Sequence, residues 1–409
     1  MKKLLNVALG VLTAIGGFVD IGDLVTNAQV GARFGLSLAW VTLLGVVGII
    51  VFAEMSGRIA AVSGRATFDL VRERLGPAMG MANLLGSMGV TLLTYVAEIG
   101  GVALAFQLIC GVDYLLLFPF VGALVWLVLW RAKFSVIENL FGLLGLALIV
   151  FVVALLKLGP DWSQLGHSAV SFQPPKPEAW STWAYYAVAL FGAAMTPYEV
   201  FFFSSGGVEE KWGVKDIGVM RTNVLLGFPL GGVLSVAIAA CTYVVFNPLS
   251  ASVDTLGQVG LPVAIALGKI GLAIALLGFV AATFGAACET GLSTGYSIAQ
   301  YFGWQWGKFV RTDVAARFHL VLLLSTVIAL GVLATGIDPV QVTEASVVFS
   351  ALALPLTYFP ILVVANDRDY MGEHVNGRVL NVLAMFFMVV LTVVALAAIP
   401  LMIWTRMGA

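Results

Sequence analysis

The sequence has little charge for its length. Only 11% of its 409 residues are Asp, Glu, Lys or Arg, and the formal net charge is −1. A soluble domain carries roughly 25% charged residues, so this composition excludes an ordinary water-soluble protein. The lack of net positive charge gives no reason to expect nucleic-acid binding. Apolar residues make up 60% of the chain, in runs of about 20 that are long enough to cross a bilayer as helices. We therefore predict an all-α, polytopic protein embedded in the lipid bilayer.

Cysteine is also scarce. The three cysteines, Cys110, Cys241 and Cys288, lie far apart in apolar segments, so neither a disulfide framework nor a zinc site is predicted. No nucleophile–base pattern or metalloprotease spacing occurs, and we predict no enzymatic activity and no cofactor. The start of the chain resembles a signal peptide but lacks a small-residue cleavage site, so we interpret it as a retained first span.

Charged or Gly/Pro-rich breaks divide the apolar sequence into eleven predicted spans. Lys and Arg favour one face by about four to one, which predicts a cytoplasmic N-terminus and an extracytoplasmic C-terminus in the plasma (inner) membrane. The longest predicted span has room for a hidden break. The predicted spans are 5–31, 35–55, 79–110, 113–130, 134–157, 181–206, 221–246, 261–301, 314–335, 339–365 and 379–403.

Two carboxylates, Asp20 and Asp23, lie inside the first predicted span, in the stretch GGFVDIGDL. An ionisable side chain at that depth is costly unless it is compensated. If the spans are read as five, five and one, the first and sixth match in position, and the sixth is interrupted at FGAAMTPYE. Matched interrupted helices indicate a substrate site between two repeats, although Pro197 alone would also fit a simple kink. The corresponding boundaries within a single transport domain are 1–157 for the first repeat, 181–365 for the second and 379–403 for the last span.

Motifs in five spans, taken in order, resemble those of the NRAMP divalent-metal transporters. DIGDLVTNAQVGARFGLSLAW in span 1 is similar to the Asp-Pro-Gly-Asn motif of that family and the run that follows it. TYVAEIGGVALAFQL, CETGLSTGYSIAQYFGW and LALPLTYFPILVVANDRDYMGEHVNGRVLNVLAM resemble its spans 3, 8 and 10–11. The resemblance implies a LeuT-type fold of two inverted five-helix repeats plus an eleventh helix. It also implies a divalent metal ion bound between the unwound spans 1 and 6.

The resemblance also implies the ligands of that metal. Thr196 stands where the family has a methionine whose soft sulfur favours manganese and iron, and Asp23 stands where the family has Asn. Oxygen ligands with room for retained water suit Mg²⁺, so we predict the NRAMP-related magnesium transporter branch, with Mn²⁺ tolerated. Met195 would make the site softer if the unwound segment slipped by one residue. The implied metal ligands are Asp20, Asp23, Thr196 and backbone groups of Ala193 and Gly17.

The residues expected to move protons are largely replaced. Tyr95 and Tyr198 stand where the family has Asp and His, and only Glu98 is kept. The tyrosine hydroxyl has a pKa of about 10, so it does not readily exchange protons at physiological pH. We therefore predict transport that is not coupled to protons. Glu199 either lines the inner exit path or pairs with a basic loop residue. The predicted transport-path residues are Glu98, Glu199, Tyr198, Tyr95, Met195 and Glu289.

Two other functions compete with uncoupled magnesium import. The first is proton-coupled Mn²⁺ or Fe²⁺ transport, as in the wider NRAMP family. The second is an organic-solute symporter of the same fold, in which Asp20 and Asp23 would bind Na⁺ or an amine. The sequence gives no oligomeric state.

Overall fold

The computed structural model describes residues 19–408, except for the side chains of Ser135 and Glu138. Within this range the chain is helical, with no β-strand. The α-helices are α1 (Ile21–Phe34), α2 (Ala39–Ser63), α3 (Thr67–Cys110), α4 (Tyr114–Arg131), α5 (Phe134–Gly145), α6 (Val150–Leu158), α7 (Trp162–Ala169), α8 (Trp180–Ala194), α9 (Pro197–Glu209), α10 (Ile217–Phe246), α11 (Leu256–Phe302), α12 (Ala316–Leu333), α13 (Pro339–Ala365), α14 (Arg368–Met371) and α15 (Arg378–Trp404).

Ten helical segments among the described residues are long and apolar enough to cross a membrane. They correspond to predicted spans 2 to 11, with α5 and α6 together forming span 5 and α8 and α9 forming span 6. The first predicted span, 5–31, lies only partly within the described residues. The start of the chain, which resembles a signal peptide, lies outside them.

Two of the longest helices contain a break at a glycine. In α3 the break is at Gly76 (φ 83°), and in α11 it is at Gly268 (φ 66°). A left-handed backbone of this kind is cheap only for glycine, because a Cβ would collide with the neighbouring carbonyl. The predicted span 261–301 therefore does contain a break. Lys269, expected within that span, lies at the break and is exposed.

The helix α1 is central, even though it carries several polar residues. It packs against α8, α10, α11 and α13, and Arg33 is its only described residue that is not buried. By contrast, α15 exposes large apolar side chains such as Val379, Leu396 and Trp404. An outer helix thus presents an apolar surface suited to lipid, while the polar helix is kept inside the bundle.

Polar contacts close one end of α1. Arg33 forms a two-pronged ion pair with Glu178, at 3.0 and 3.1 Å, and also donates to the carbonyl of Gly408. Gln29 donates to Glu344 Oε1 at 2.6 Å. A cavity of about 700 Å³, on the side of the molecule predicted to face outward, is lined by Gln29, Arg33, Glu344 and Gly408. The chain near Gly408 therefore folds onto the opening of this cavity, which we call the mouth of the bundle.

Candidate functional site

The described chain approaches α1 in an extended conformation, and Asp20 caps this helix. The backbone of Asp20 has φ −103° and ψ −174°, and its Oδ1 accepts a hydrogen bond from the amide of Asp23 at 2.9 Å. A side-chain cap of this kind stabilises a helix by about 1 kcal/mol. The N-terminal end of the helix dipole also favours negative charge. Local backbone chemistry thus places two carboxylates at a helix start in the core. Gly17, the other span-1 residue predicted to face the metal, lies outside the described residues.

Span 6 is interrupted, as predicted, by two non-helical residues. α8 ends at Ala194, Met195 has φ −127° and ψ 54°, Thr196 has φ −66° and ψ 134°, and α9 begins at Pro197. Proline has no N–H, so the carbonyl of Ala193 lacks its usual donor four residues ahead. The carbonyl oxygen of Ala193 therefore has no helical donor and is available to a ligand.

Tyr198 and Glu98 bring two more spans to the start of α1. The hydroxyl of Tyr198, in α9, donates to Asp20 Oδ2 at 3.2 Å. Glu98, in α3, accepts the amide of Ile21 on Oε1 at 3.2 Å, while its Oε2 has no hydrogen-bond partner. Spans 1, 3 and 6 therefore meet at the start of α1.

Asp23 has one carboxylate oxygen that is bonded and one that is not. Oδ1 accepts from Asn27 Nδ2 at 3.0 Å and from Ser235 Oγ at 3.3 Å. Oδ2 is buried and has no partner. Asp23 is therefore held in position through Oδ1, while Oδ2 is left without a partner in the core, which is unfavourable. Sequence reasoning missed Ser235, because a lone serine in the apolar run LGGVLSVAIA has no distinguishing pattern.

The sulfur of Met195 packs away from this polar cluster. A Cβ added at Gly48 would lie 2.5 Å from Met195 Sδ, and the ring of Phe387 lies beside the same glycine. The sulfur is therefore enclosed by α2 and α15. Tyr358 donates to the carbonyl of Met195 at 3.3 Å, which holds the interrupted segment against α13. Thr196, the N-cap of α9, is buried at the break.

The remaining predicted path residues lie in the same core. The hydroxyl of Tyr95 is 2.8 Å from Thr326 Oγ1, in the interface between α3 and α12. Glu199 lies in the first turn of α9 and Glu289 in α11, and both are buried. Within the described chain no Lys or Arg forms an ion pair with Glu199. The alternative in which a loop cation pairs with it is therefore not what the structure shows.

The described residues bury six carboxyl side chains. Glu209 accepts hydrogen bonds from Tyr296 and from the amide of Lys308, and the other five lie in the core with little compensating charge. For four of them, the strongest charges in range are other carboxylates of the group, and none of the five takes part in an ion pair found among residues 19–408. No three Asp, Glu, His or Cys side chains of that range converge closely enough to hold a metal ion on their own. Such a core suits a cation that is bound by one or two carboxylates and keeps part of its water. The five are Asp20, Asp23, Glu98, Glu199 and Glu289.

Comparison with known proteins places this arrangement in context. The model of the family described as natural resistance-associated macrophage protein-like (Nramp) matches residues 10–400. The divalent metal cation transporter MntH of Chromohalobacter salexigens is 25% identical over 384 residues, which are 90% of this chain and 84% of that protein.

Solved structures show the same fold. The manganese transporter of Eremococcus coleocola, crystallised with an aromatic bis-isothiourea substituted compound, has a TM-score of 0.70 at 17% identity, covering 99% of this chain and 94% of that chain. Mhp1, a nucleobase-cation-symport-1 family transporter, has a TM-score of 0.61 at 16% identity, covering 97% and 92%. These likenesses confirm the predicted LeuT-type architecture.

Proposed function

The chain belongs to the Nramp family of divalent metal cation transporters, and from this premise we propose that its substrate is Mg²⁺, with Mn²⁺ tolerated, and that import is not coupled to protons. The observation that carries the proposal is the pair of carboxylates at the start of α1, where Asp23 Oδ2 is buried without a partner. The interrupted span 6 faces this pair through Tyr198. The ion binds between the two interruptions.

The donor set supports a hard ion. Asp20 and Asp23 supply carboxylate oxygens, Thr196 a hydroxyl, and Ala193 a carbonyl without a helical donor. The one sulfur near the break, that of Met195, is packed against Gly48. Mg²⁺ takes oxygen ligands, keeps several waters and is commonly held by one or two carboxylates. Without a soft ligand, the site loses its main means of preferring Mn²⁺ or Fe²⁺ over Mg²⁺.

The tyrosines support uncoupled transport. Tyr95 is hydrogen-bonded to Thr326, and Tyr198 is hydrogen-bonded to Asp20. A phenol titrates at about 10, so neither hydroxyl exchanges protons readily at neutral pH. A dication that moves into a cell at 100 mV gains about 2.3 kcal/mol per charge, or about 4.6 kcal/mol in all. The membrane potential alone therefore supports accumulation.

In this proposal the chain has the membrane orientation and the two repeats that we predict from its sequence. The N-terminus is cytoplasmic, the C-terminus is extracytoplasmic, and the plasma membrane is the site of action. The two repeats, 1–157 and 181–365, supply one broken helix each. The transport path beyond the site at Asp20 and Asp23 is lined by Glu98, Glu199 and Glu289.

Uptake into proteoliposomes that contain a pH dye tests the proposal. With an inside-negative potential, we expect uptake of Mg²⁺ and Mn²⁺ without acidification, and loss of uptake in Asp20→Ala and Asp23→Ala. Glu73→Gln, which breaks an exposed pair with Arg65 outside the core, is the matched control and should retain uptake. Acidification in step with metal entry would favour the proton-coupled alternative, and preference for Cd²⁺ over Mg²⁺ would contradict the hard-ion assignment. Amino acids serve as negative substrates, because an organic-solute symporter would take them up instead.

A further inference from the structure

We propose that Glu199 and Glu289 form a second divalent-cation site beside the Asp20–Asp23 site, so that the transport path holds two ions at once. The inference rests on the proposed cation transport, but it concerns different residues and has its own test. It would make this transporter a multi-ion carrier, in which the second ion lies between α9 and α11.

The packing of α9 on α11 brings Glu199 and Glu289 to neighbouring positions. Ser293, one turn after Glu289 and on the same face of α11, donates to the carbonyl of Tyr198 at 3.1 Å. Glu199 follows Tyr198 directly, so it lies at this contact. Among the charges that act on Glu199, that of Glu289 is the strongest, ahead of Asp20 and Asp23. Asp20 acts on both glutamates as well, so the second pair adjoins the first.

The second indication of a ligand is an unpartnered oxygen. Glu289 is only 7% exposed, and its Oε2 has no hydrogen-bond partner. Glu98 and Glu199 each have some local compensation, because Glu98 accepts the first amide of α1 and Glu199 lies in the first turn of α9, where the helix dipole favours an anion. Glu289 has neither, since it lies far inside the long helix α11. A carboxyl group buried in that position takes up either a proton or a cation.

Counting charge leads to the same conclusion. One dication between Asp20 and Asp23 balances those two carboxylates and leaves Glu98, Glu199 and Glu289. No ion pair within the described chain reaches any of these three glutamates. A second dication held by Glu199 and Glu289 balances two of them. Glu98 then depends on the helix N-terminus alone.

The chemistry of the second site selects the same class of ion as the first. Its donors are two carboxylates, the hydroxyl of Ser293 and water, with no sulfur or nitrogen ligand. Since no third acidic side chain of residues 19–408 converges there, the ion keeps part of its hydration, as Mg²⁺ and Mn²⁺ do. Two like charges in neighbouring sites repel each other, which helps the inner ion leave while the outer one stays bound.

Ion stoichiometry of the purified full-length protein tests this inference, with Mn²⁺ as the probe and electron paramagnetic resonance as the readout. We expect two Mn²⁺ per chain in the unmodified protein, with line broadening from the spin–spin coupling of two close ions. Glu199→Gln and Glu289→Gln should each bind one ion and lose the broadening. Glu289→Asp, which keeps the carboxylate, should bind two ions, the second at least tenfold more weakly. Glu73→Gln, in an exposed pair with Arg65 outside the core, is the matched control and should bind two.

The outcomes separate the two proposals. A single ion that Asp20→Asn removes, and that Glu289→Gln leaves in place, would overturn the second site while the transport proposal stands. Two ions in Glu289→Gln, with the broadening intact, would also overturn it, because the second ion would lie elsewhere. No bound ion in the unmodified protein would contradict both. Gel filtration and thermal melting of each variant show whether it is folded before its ions are counted.

Discussion

The Tyr198 hydroxyl donates to Asp20 Oδ2 at 3.2 Å and thereby joins the second half of span 6 to the start of α1. Both partners are almost fully buried. The contact links α9 to the start of α1 directly, so a change in the position of one helix affects the other. The resemblance to NRAMP proteins implies that Tyr198 stands where those proteins carry a histidine.

Removal of this hydroxyl should weaken ion binding without creating proton coupling. In Tyr198→Phe, Asp20 loses a donor that fixes the orientation of its carboxylate. Because a hydrogen bond to a charged group contributes about 1.5–3 kcal/mol, we expect the apparent KM for Mg²⁺ to rise about tenfold, with kcat changed much less. Uptake into proteoliposomes, with the internal pH recorded, provides both measurements.

Tyr370→Phe is the matched control for Tyr198→Phe. Its hydroxyl donates to Glu73 Oε1 at 3.3 Å in an exposed contact outside the core, so KM should be unchanged. An unaltered KM in Tyr198→Phe would show that the hydrogen bond does not position Asp20 for the ion.

A soft ligand at position 196 should change which ion is preferred. In Thr196→Met, a thioether replaces the hydroxyl at the start of α9, and soft ligands favour Cd²⁺ and Mn²⁺ over Mg²⁺. We expect the affinity for Cd²⁺ to rise at least about tenfold, a free-energy change of about 1.4 kcal/mol, and Mg²⁺ uptake to fall strongly. Calorimetric titration with Cd²⁺ and Mg²⁺ measures both effects.

Met195→Leu tests whether Met195, the other residue of the break, contacts the ion. Leucine is close to methionine in volume, and it would fill the same space beside Gly48 and Phe387. Because the sulfur lies there rather than at the ion, we expect no change in Cd²⁺ affinity. A marked loss of Cd²⁺ binding in Met195→Leu would mean that the sulfur reaches the ion.

Some of the candidate site is predictable from sequence, and the reasons differ from residue to residue. Asp20 stands out because a carboxylate in an apolar run is costly, and the break at Thr196–Pro197 is predictable because proline removes a backbone donor. The direction of the Met195 side chain depends on two backbone torsions in a non-helical segment, which no periodicity encodes. Ser235 and the position of the break at Gly268 depend on which helices meet, and that is known only from the fold.

The loop after α11 contains a lysine that should make stability depend on pH. Burial lowers the pKa of Lys308 to about 8, against a partial opposing effect of Glu209, and its ammonium donates to the carbonyl of Leu129 at the end of α4. A lowered folded-state pKa means that the unfolded chain binds a proton more readily between pH 8 and the ordinary lysine value. Stability should therefore rise as the pH increases through that window.

Thermal melting of Lys308→Met alongside the unmodified protein isolates this effect. Methionine does not titrate, so other groups cancel in the difference between the two melting temperatures. Between pH 7.5 and 10 we expect the melting temperature of the unmodified protein to gain about 1–2 °C on the variant. A constant difference across this range would show that Lys308 keeps its ordinary pKa in the folded protein.

The ion pair between Arg33 and Glu178 should hold the mouth of the bundle closed. Both side chains are partly exposed, at 25% and 21%, so the pair contributes about 1 kcal/mol at most. Glu178→Gln should therefore raise the ratio of open to closed molecules by up to about fivefold. A cysteine introduced at Ser346, which is buried in α13, reports opening through its rate of labelling by a membrane-impermeant maleimide.

The labelling is carried out with Cys110 replaced by serine, because Cys110 is exposed whereas Cys241 and Cys288 are buried. Glu73→Gln is the matched control, since it breaks the exposed pair with Arg65 near the start of α3, away from the mouth. We expect two- to fivefold faster labelling in Glu178→Gln, on the order of the free energy of one partly exposed pair, and no change in Glu73→Gln. Equal labelling rates in both variants would contradict a role of the Arg33–Glu178 pair in closing the mouth. The hydrogen bond between Gln29 and Glu344 would then be the contact that keeps it closed.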